Sequence, residues 1–256
     1  MKKVALVGFG RFGRSLGGLM QQHGLEVSAY DPNTTLYSEA LVSQVGDALA
    51  GAQLVIFAVP VGVLKDALHH ARPHMHAAQI VIDVGSVKVN PTQALEEVCA
   101  DEIPWVATHP LFGPDSLARG EAPLGVVVAP NSFHPHAVER VAELYRALGC
   151  DVRMQAPEEH DDVMAHTHAL TFFIAKALVD LGIDRYVESA PPSFRALACT
   201  IASVRADAGH LMATIQRDNP FAAEARQALM DALQQLNRRL VCSDEVVDVP
   251  QKGENS

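Results

Sequence analysis

A doubly wound α/β sheet followed by an all-helical segment is the architecture this sequence predicts, and three observations predict it. The chain opens on an apolar run that ends in Val7-Gly8-Phe9-Gly10-Arg11-Phe12-Gly13. Short Val/Ile/Leu runs then alternate with stretches of helical spacing, the pattern of strands buried on both faces of a sheet. After Pro157 the strand-like runs stop and apolar residues recur at helical spacing alone.

The opening element is a strand, a Gly-x-Gly-x-x-Gly turn and a helix, followed by a strand from Glu26 to Tyr30 and then Asp31. Gly8 permits the tight turn, Gly10 lets backbone approach a pyrophosphate, and Gly13 lets the helix pack closely on the strand. The helix N-terminus offers unpaired N–H groups and the positive end of its dipole to phosphate. Asp31 stands 18 residues after Gly13, close to the spacing of about 20 for the acid that binds the adenine-ribose hydroxyls. A carboxylate there repels a 2′-phosphate, so NAD is expected in preference to NADP. Gly8, Phe9, Gly10, Arg11, Phe12, Gly13 and Asp31 are the expected cofactor-binding residues.

The remaining elements follow in order. A helix is expected over Thr34 to Val42, a strand over Gln53 to Val59 and a helix over Gly62 to Ala71. Next come a strand over Gln79 to Val84, a helix over Pro91 to Ala100 and a strand over Trp105 to Thr108. Two further strands, Leu124 to Ala129 and Asp151 to Gln155, flank a helix over Pro135 to Leu148. Beyond Pro157, long helices are expected over Glu158 to Leu181, Phe194 to Gln216 and Ala222 to Val241, with a break at Pro191-Pro192. The expected units are a Rossmann-type dinucleotide-binding domain over residues 1–156, a helical substrate and dimerisation domain over 157–242, and a flexible tail over 243–256. Apolar stripes on the last helices are buried most simply against a second copy, so a homodimer is expected.

Composition narrows the partners. With 20 Lys+Arg against 30 Asp+Glu the net charge is −10, which argues against nucleic acid or an anionic membrane as partner. The apolar stretch Leu54 to Leu64 is broken by Pro60 and is too short to span a bilayer. Cys99, Cys150, Cys199 and Cys242 show no paired spacing and read as reduced thiols in a cytoplasmic protein.

In open α/β sheets ligands bind beyond the carboxyl ends of the strands. Val59-Pro60 ends one expected strand and would flank the nicotinamide-ribose side. Ser86 and His109 end two others and point toward one crevice. An imidazole titrating near neutrality, assisted by a serine, suits removal of a hydroxyl proton during hydride transfer. Among the later histidines, His168 faces the same way as the position one turn on, Phe172, whereas His166 faces elsewhere. His160, His166 and His168 are poorly arranged for a metal, and none is expected.

The glycine turn, the segment Asp83 to Lys88 (Asp-Val-Gly-Ser-Val-Lys), the loop His109-Pro110-Leu111-Phe112-Gly113-Pro114 and the helix opening Glu159-His160-Asp161 together resemble prephenate and arogenate dehydrogenases. The resemblance runs from about Lys3 to Leu240 and implies NAD-dependent oxidative decarboxylation of prephenate to 4-hydroxyphenylpyruvate, or of arogenate to tyrosine. It implies that His109 accepts the ring hydroxyl proton and that Ser86 assists. Two departures stand out. The family's substrate-contacting histidine falls at Phe172, so His168 is the expected substitute. The family's carboxylate-gripping arginine falls at Ala202, so Arg195 and then Arg205 are expected to hold the small dicarboxylate substrate. Other NAD-dependent dehydrogenases or reductases of this architecture, and a non-catalytic NAD sensor, stay open as alternatives.

Overall fold

A computed structural model describes residues 1–34, 38–207 and 210–242. Seven strands form one sheet in the order β2-β1-β3-β4-β5-β6-β7. They are β1 (Lys3–Val7), β2 (Glu26–Tyr30), β3 (Leu54–Phe57), β4 (Ile80–Asp83), β5 (Trp105–Pro110), β6 (Leu124–Val128) and β7 (Cys150–Met154). The first five run parallel; β6 pairs antiparallel with β5, and β7 runs parallel to β6. Nothing in the composition of β6 (Leu-Gly-Val-Val-Val) marks this reversal, since it is as continuously apolar as the parallel strand β3.

The inner strands are nearly unbroken apolar runs, as in Leu54–Phe57, because both faces are covered, whereas the edge strands β2 and β7 carry Glu26, Ser28, Asp151 and Arg153. Val4 and Leu6 face a core with Leu16, Met20, Val141 and Tyr145, from α1 (Arg11–Gln22) and α6 (Pro135–Ala147). Ala5 and Val7 face the other way, onto Leu64, Leu68 and Leu95, from α3 (Val61–Ala71) and α4 (Val89–Cys99). Successive strand residues alternate faces, so a sheet with two helical layers needs an unbroken apolar run. In α1 the buried residues Gly13, Leu16, Gly17 and Met20 fall at helical spacing, which seats one stripe on the sheet.

One expected element is absent. Residues 38–42 are not helical; residues 35–37 lie outside the described residues. Ala29 donates to the Ala40 carbonyl at 2.7 Å and Val42 donates to the Ala29 carbonyl at 2.9 Å. The segment thus satisfies the outer edge of β2, and the helix forms later, as the short α2 (Val45–Leu49).

Beyond β7 the chain is helical. Helix α7 (Pro157–Met164) opens with Pro157 and two acids, Glu158 and Glu159, in its first turn, which suits a helix start. It continues through a π turn (Ala165–Ala169) into α8 (Leu170–Asp180), so the single helix expected over Glu158 to Leu181 is interrupted by one widened turn. Helix α9 (Pro192–Asp207) starts at the expected proline break, and the short helix α10 (His210–Ala213) leads into a second π turn (Thr214–Asp218). The last described helix is α11 (Ala222–Cys242). Phe172, Ala175, Ile201 and Ile215 pack together in this half.

Cys99 and Cys150 are free and buried; burial raises their thiols to about 12 and about 11, which keeps both protonated at neutral pH. The side chains of Cys199 and Cys242 and the segment 243–256 lie outside the described residues. Among the described residues no helix is long and apolar enough to cross a membrane.

Candidate active site

The turn after β1 forms the floor of the cleft. Gly8 has φ +98° and donates to the Tyr30 carbonyl at 2.8 Å; a Cβ there would sit 2.5 Å from the Ala58 carbonyl oxygen. A Cβ on Gly13 would lie 2.3 Å from the Gly8 carbonyl oxygen, so α1 can approach the turn only without a side chain. Gly10 differs: nothing lies within 4 Å of where its Cβ would be. That open space lies at the start of α1, where the N-cap residue, Gly10, has no side chain to cap the helix. Such a seat fits a pyrophosphate.

Asp31 ties the turn together. One carboxylate oxygen accepts from the Phe9 N–H at 2.8 Å and the other from the Asn33 N–H at 2.9 Å. It lines a cavity of about 490 Å³ with Gly8, Gly10, Tyr30, Val59, Pro60 and His70. Phe9 contributes its backbone only, since its side chain lies in the core. The Arg11 guanidinium reaches Asp115, at 3.4 Å, on α5 (Pro114–Ala118), and Phe12 packs on Phe112 with ring centres 6.2 Å apart. These contacts join the glycine turn to the loop that follows His109.

A second cavity of about 780 Å³ continues from the first, sharing Gly10, Ala58, Val59 and Pro60. It brings together Arg11, Phe12, Gly13, Ser86, His109, His168 and Phe172. The β4 and β5 ends supply Ser86 and His109, as the strand pattern suggested. The π turn supplies His168, whose ring lies 6.5 Å from that of His109, near parallel, and 4.8 Å from Phe172, edge-on. His166 points away, with Nδ1 against the Asp162 carbonyl at 2.9 Å. The backbone of α9 carries Arg195 and Arg205, but their side chains lie outside the described residues. Among the described residues no three His, Cys, Asp or Glu side chains are grouped to hold a metal.

Four residues with no assigned role in the sequence analysis stand behind His109. His109 Nδ1 meets His160 Nε2 at 2.8 Å, and His160 Nδ1 meets Asp161 Oδ1 at 2.8 Å. Asp161 also accepts from the Lys88 N–H at 2.7 Å and the Val89 N–H at 2.9 Å, so it holds the start of α4. The Lys88 ammonium donates to the Asp83 carboxylate and to the Thr108 carbonyl at 2.5 Å. The Glu159-His160-Asp161 and Asp83-to-Lys88 motifs were visible, yet nothing local marks either pair as wholly buried.

Electrostatics follow from this burial. His109 is held well below its usual 6.5, first by desolvation and then by His160, Lys88 and His168. His168 is lowered by burial and by His160. Burial pushes Asp83 up and Lys88 down, each opposed by the other's charge. The cleft therefore presents a neutral imidazole beside the glycine turn at the start of α1.

The chain is similar to known proteins in sequence and in fold. The family described as prephenate dehydrogenase, nucleotide-binding domain, matches residues 16–153. A probable arogenate/prephenate dehydrogenase of Methanocaldococcus jannaschii is 26% identical over 201 residues, covering 75% of this chain and 44% of that protein. The chain thus spans under half the length of that relative. A 4-amino-4-deoxyprephenate dehydrogenase of Streptomyces pristinaespiralis is 27% identical, with 94% of this chain and 86% of that protein covered. The structure of A. aeolicus prephenate dehydrogenase in complex with hydroxyphenyl propionate and NAD+ superposes with a TM-score of 0.74. It shares 21% identity, with 94% and 91% of the two chains covered. With more than half of its residues matched by the family, the chain belongs to the prephenate dehydrogenase nucleotide-binding domain family.

Proposed function

We propose that this protein catalyses the NAD-dependent oxidative decarboxylation of prephenate or arogenate, a step of tyrosine biosynthesis in the cytoplasm. The observation that carries the reading is the junction of the two cavities: a neutral, buried His109 lines the same cleft as Ser86 and the glycine turn. Gly8 to Gly13 would hold the pyrophosphate, Asp31 the adenine ribose, and Val59 and Pro60 would flank the nicotinamide ribose. When bound, NAD supplies a two-electron acceptor for hydride.

The chain's own residues then have limited work to do. His109 accepts the hydrogen bond, and transiently the proton, of the hydroxyl on the ring carbon that loses hydride. Ser86 orients that hydroxyl, and His168 contacts the substrate side chain, with Arg195 and Arg205 as the candidates for the carboxylates. Breaking the bond to the ring carboxylate releases carbon dioxide and leaves its electron pair in the ring, which becomes aromatic. Positioning and one base suffice.

A second reading of the substrate is favoured by the coverage of the Streptomyces relative at nearly full length on both sides. A ring amine in place of the hydroxyl would meet the same neutral imidazole. We further infer a homodimer, because Leu233, Leu236 and Leu240 of α11 are 54%, 40% and 61% exposed in the single chain and share a helical face.

The test is to mix purified protein with NAD and prephenate, arogenate or 4-amino-4-deoxyprephenate, and to follow nicotinamide reduction. Reduction with one of them supports the reading and names the substrate. Absence of reduction with all three, with NAD or NADP, sinks it.

A further inference from the structure

We propose that Asp161 and His160 are positioning residues that hold His109 as the tautomer protonated on Nδ1, leaving Nε2 as the acceptor in the cleft. The inference rests on the reading of His109 as the base. It follows from the direction in which a chain of buried hydrogen bonds has to run.

Asp161 ends the chain, and a carboxylate only accepts. Its Oδ1 receives the Lys88 N–H and its Oδ2 the Val89 N–H, so the third contact, with His160 Nδ1 at 2.8 Å, also requires a donor. A neutral imidazole that donates from Nδ1 accepts at Nε2. His160 Nε2 faces His109 Nδ1 at 2.8 Å, so His109 donates from Nδ1. Its remaining nitrogen, Nε2, has no protein partner among the described residues, and the residue lines the cavity. His160 and Asp161 are both fully buried, so water does not compete for these bonds. Had the chain ended on a donor, His109 would present an N–H to the substrate and no lone pair.

The same carboxylate does a second job. By accepting from Lys88 and Val89 it fixes the backbone two and three residues after Ser86. Asp161 therefore sets the loop of one candidate catalytic residue directly and the ring of the other through His160. Asn219 fastens the arrangement from behind, donating from Nδ2 to the Asp161 carbonyl at 2.7 Å.

A sealed chain is compatible with the chemistry. As hydride leaves the substrate for NAD, the hydroxyl proton moves to His109 Nε2. When the carboxylate departs as carbon dioxide, its electron pair enters the ring and the resulting phenolate takes that proton back. The proton is borrowed and returned, so no path to solvent behind His160 is needed. Among the described residues, the charged and titratable groups around His109 are His160 and Asp161 from α7, Lys88 with its partner Asp83 behind β5, and His168 from the π turn.

The experiment is nitrogen-15 NMR of the labelled imidazoles in the protein without substrate, combined with kinetics. His109 is expected protonated on Nδ1 and bare on Nε2 at neutral pH. His160→Leu removes the acceptor and is expected to scramble the tautomer and lower kcat roughly 100-fold, with NAD affinity unchanged. His160→Gln retains an acceptor and is expected to restore the tautomer and most of kcat. A wild-type His109 protonated on Nε2, or a His160→Leu protein with normal kcat, overturns the proposal. If the leucine variant does not fold, the wild-type and His160→Gln spectra decide it. Turnover with the Nε2–H tautomer would defeat this wiring alone; the expected tautomer without turnover on any substrate would defeat the functional reading alone.

Discussion

Lys88 and Asp83 form an ion pair with essentially no solvent exposure, at 0% and 1% of their side-chain surface, beneath the strand that carries His109. The ammonium also holds the Thr108 carbonyl, one residue before His109. Asp83 in turn accepts from the Gly85 N–H at 3.0 Å and the Thr108 N–H at 3.2 Å. One buried pair thus links the ends of β4 and β5, the two strands that bring Ser86 and His109 to the cleft.

Removing one partner strands the other's charge in the interior. Lys88→Met is expected to cost about 3–5 kcal/mol of stability, read by urea denaturation. Adding Asp83→Leu should recover only part of the loss, because two backbone N–H groups would then lack their acceptor. A single variant as stable as the wild type would mean that the pair is not buried in solution.

His109→Asn keeps a polar side chain in the cleft but removes the imidazole proposed as the base. Turnover is expected to fall roughly 10²- to 10⁴-fold, while NAD affinity, followed by fluorescence titration, stays the same. Normal turnover in this variant would remove His109 from the reaction.

The depressed His109 value sets the sign of the pH response. Above about pH 6.5, the value for the unfolded chain, both states are neutral there and nothing changes. Between 6.5 and the lower folded value, the unfolded chain binds a proton that the folded chain refuses. Stability therefore falls as pH drops through that window, by up to about 1.4 kcal/mol per pH unit for this group. Turnover should stay flat through neutrality and decline only well below pH 6.5. A profile that falls already between pH 8 and about pH 7 would contradict a buried neutral imidazole.

Asp31→Asn preserves an acceptor for the Phe9 N–H and removes the charge. NAD is expected to bind about 10-fold more weakly, the scale of one charged hydrogen bond, and discrimination against NADP should shrink. Isothermal titration with both cofactors checks it.

On α11, Leu236→Glu places a charge on the exposed apolar face without touching the packed interior of the single chain. Analytical ultracentrifugation should then report a monomer, with helical circular dichroism unchanged. A wild-type protein that is itself monomeric would dismiss the dimer.

The geometry of the candidate cofactor cradle was legible in the amino-acid sequence because its logic is local. Gly8, Gly10, Gly13 and Asp31 lie within one strand-turn-helix-strand unit, and what they need is backbone space and one carboxylate. Ser86 and His109 were legible for a related reason: parallel strands end at one edge, so residues just past them converge. Local pattern failed where neighbours decide. Residues 38–42 had helical spacing but pair with the edge of β2, and the reversal of β6 leaves no trace in its composition.

The environment of His109 belongs to the tertiary structure alone. His160 lies 51 residues from His109, and Asp161 lies 73 from Lys88. A π turn, not a regular helix, brings His168 beside the same ring. Periodicity reports which face of an element is apolar. Which buried donors meet which acceptors, and hence which nitrogen of His109 is free, depends on how α7 docks on the ends of β4 and β5.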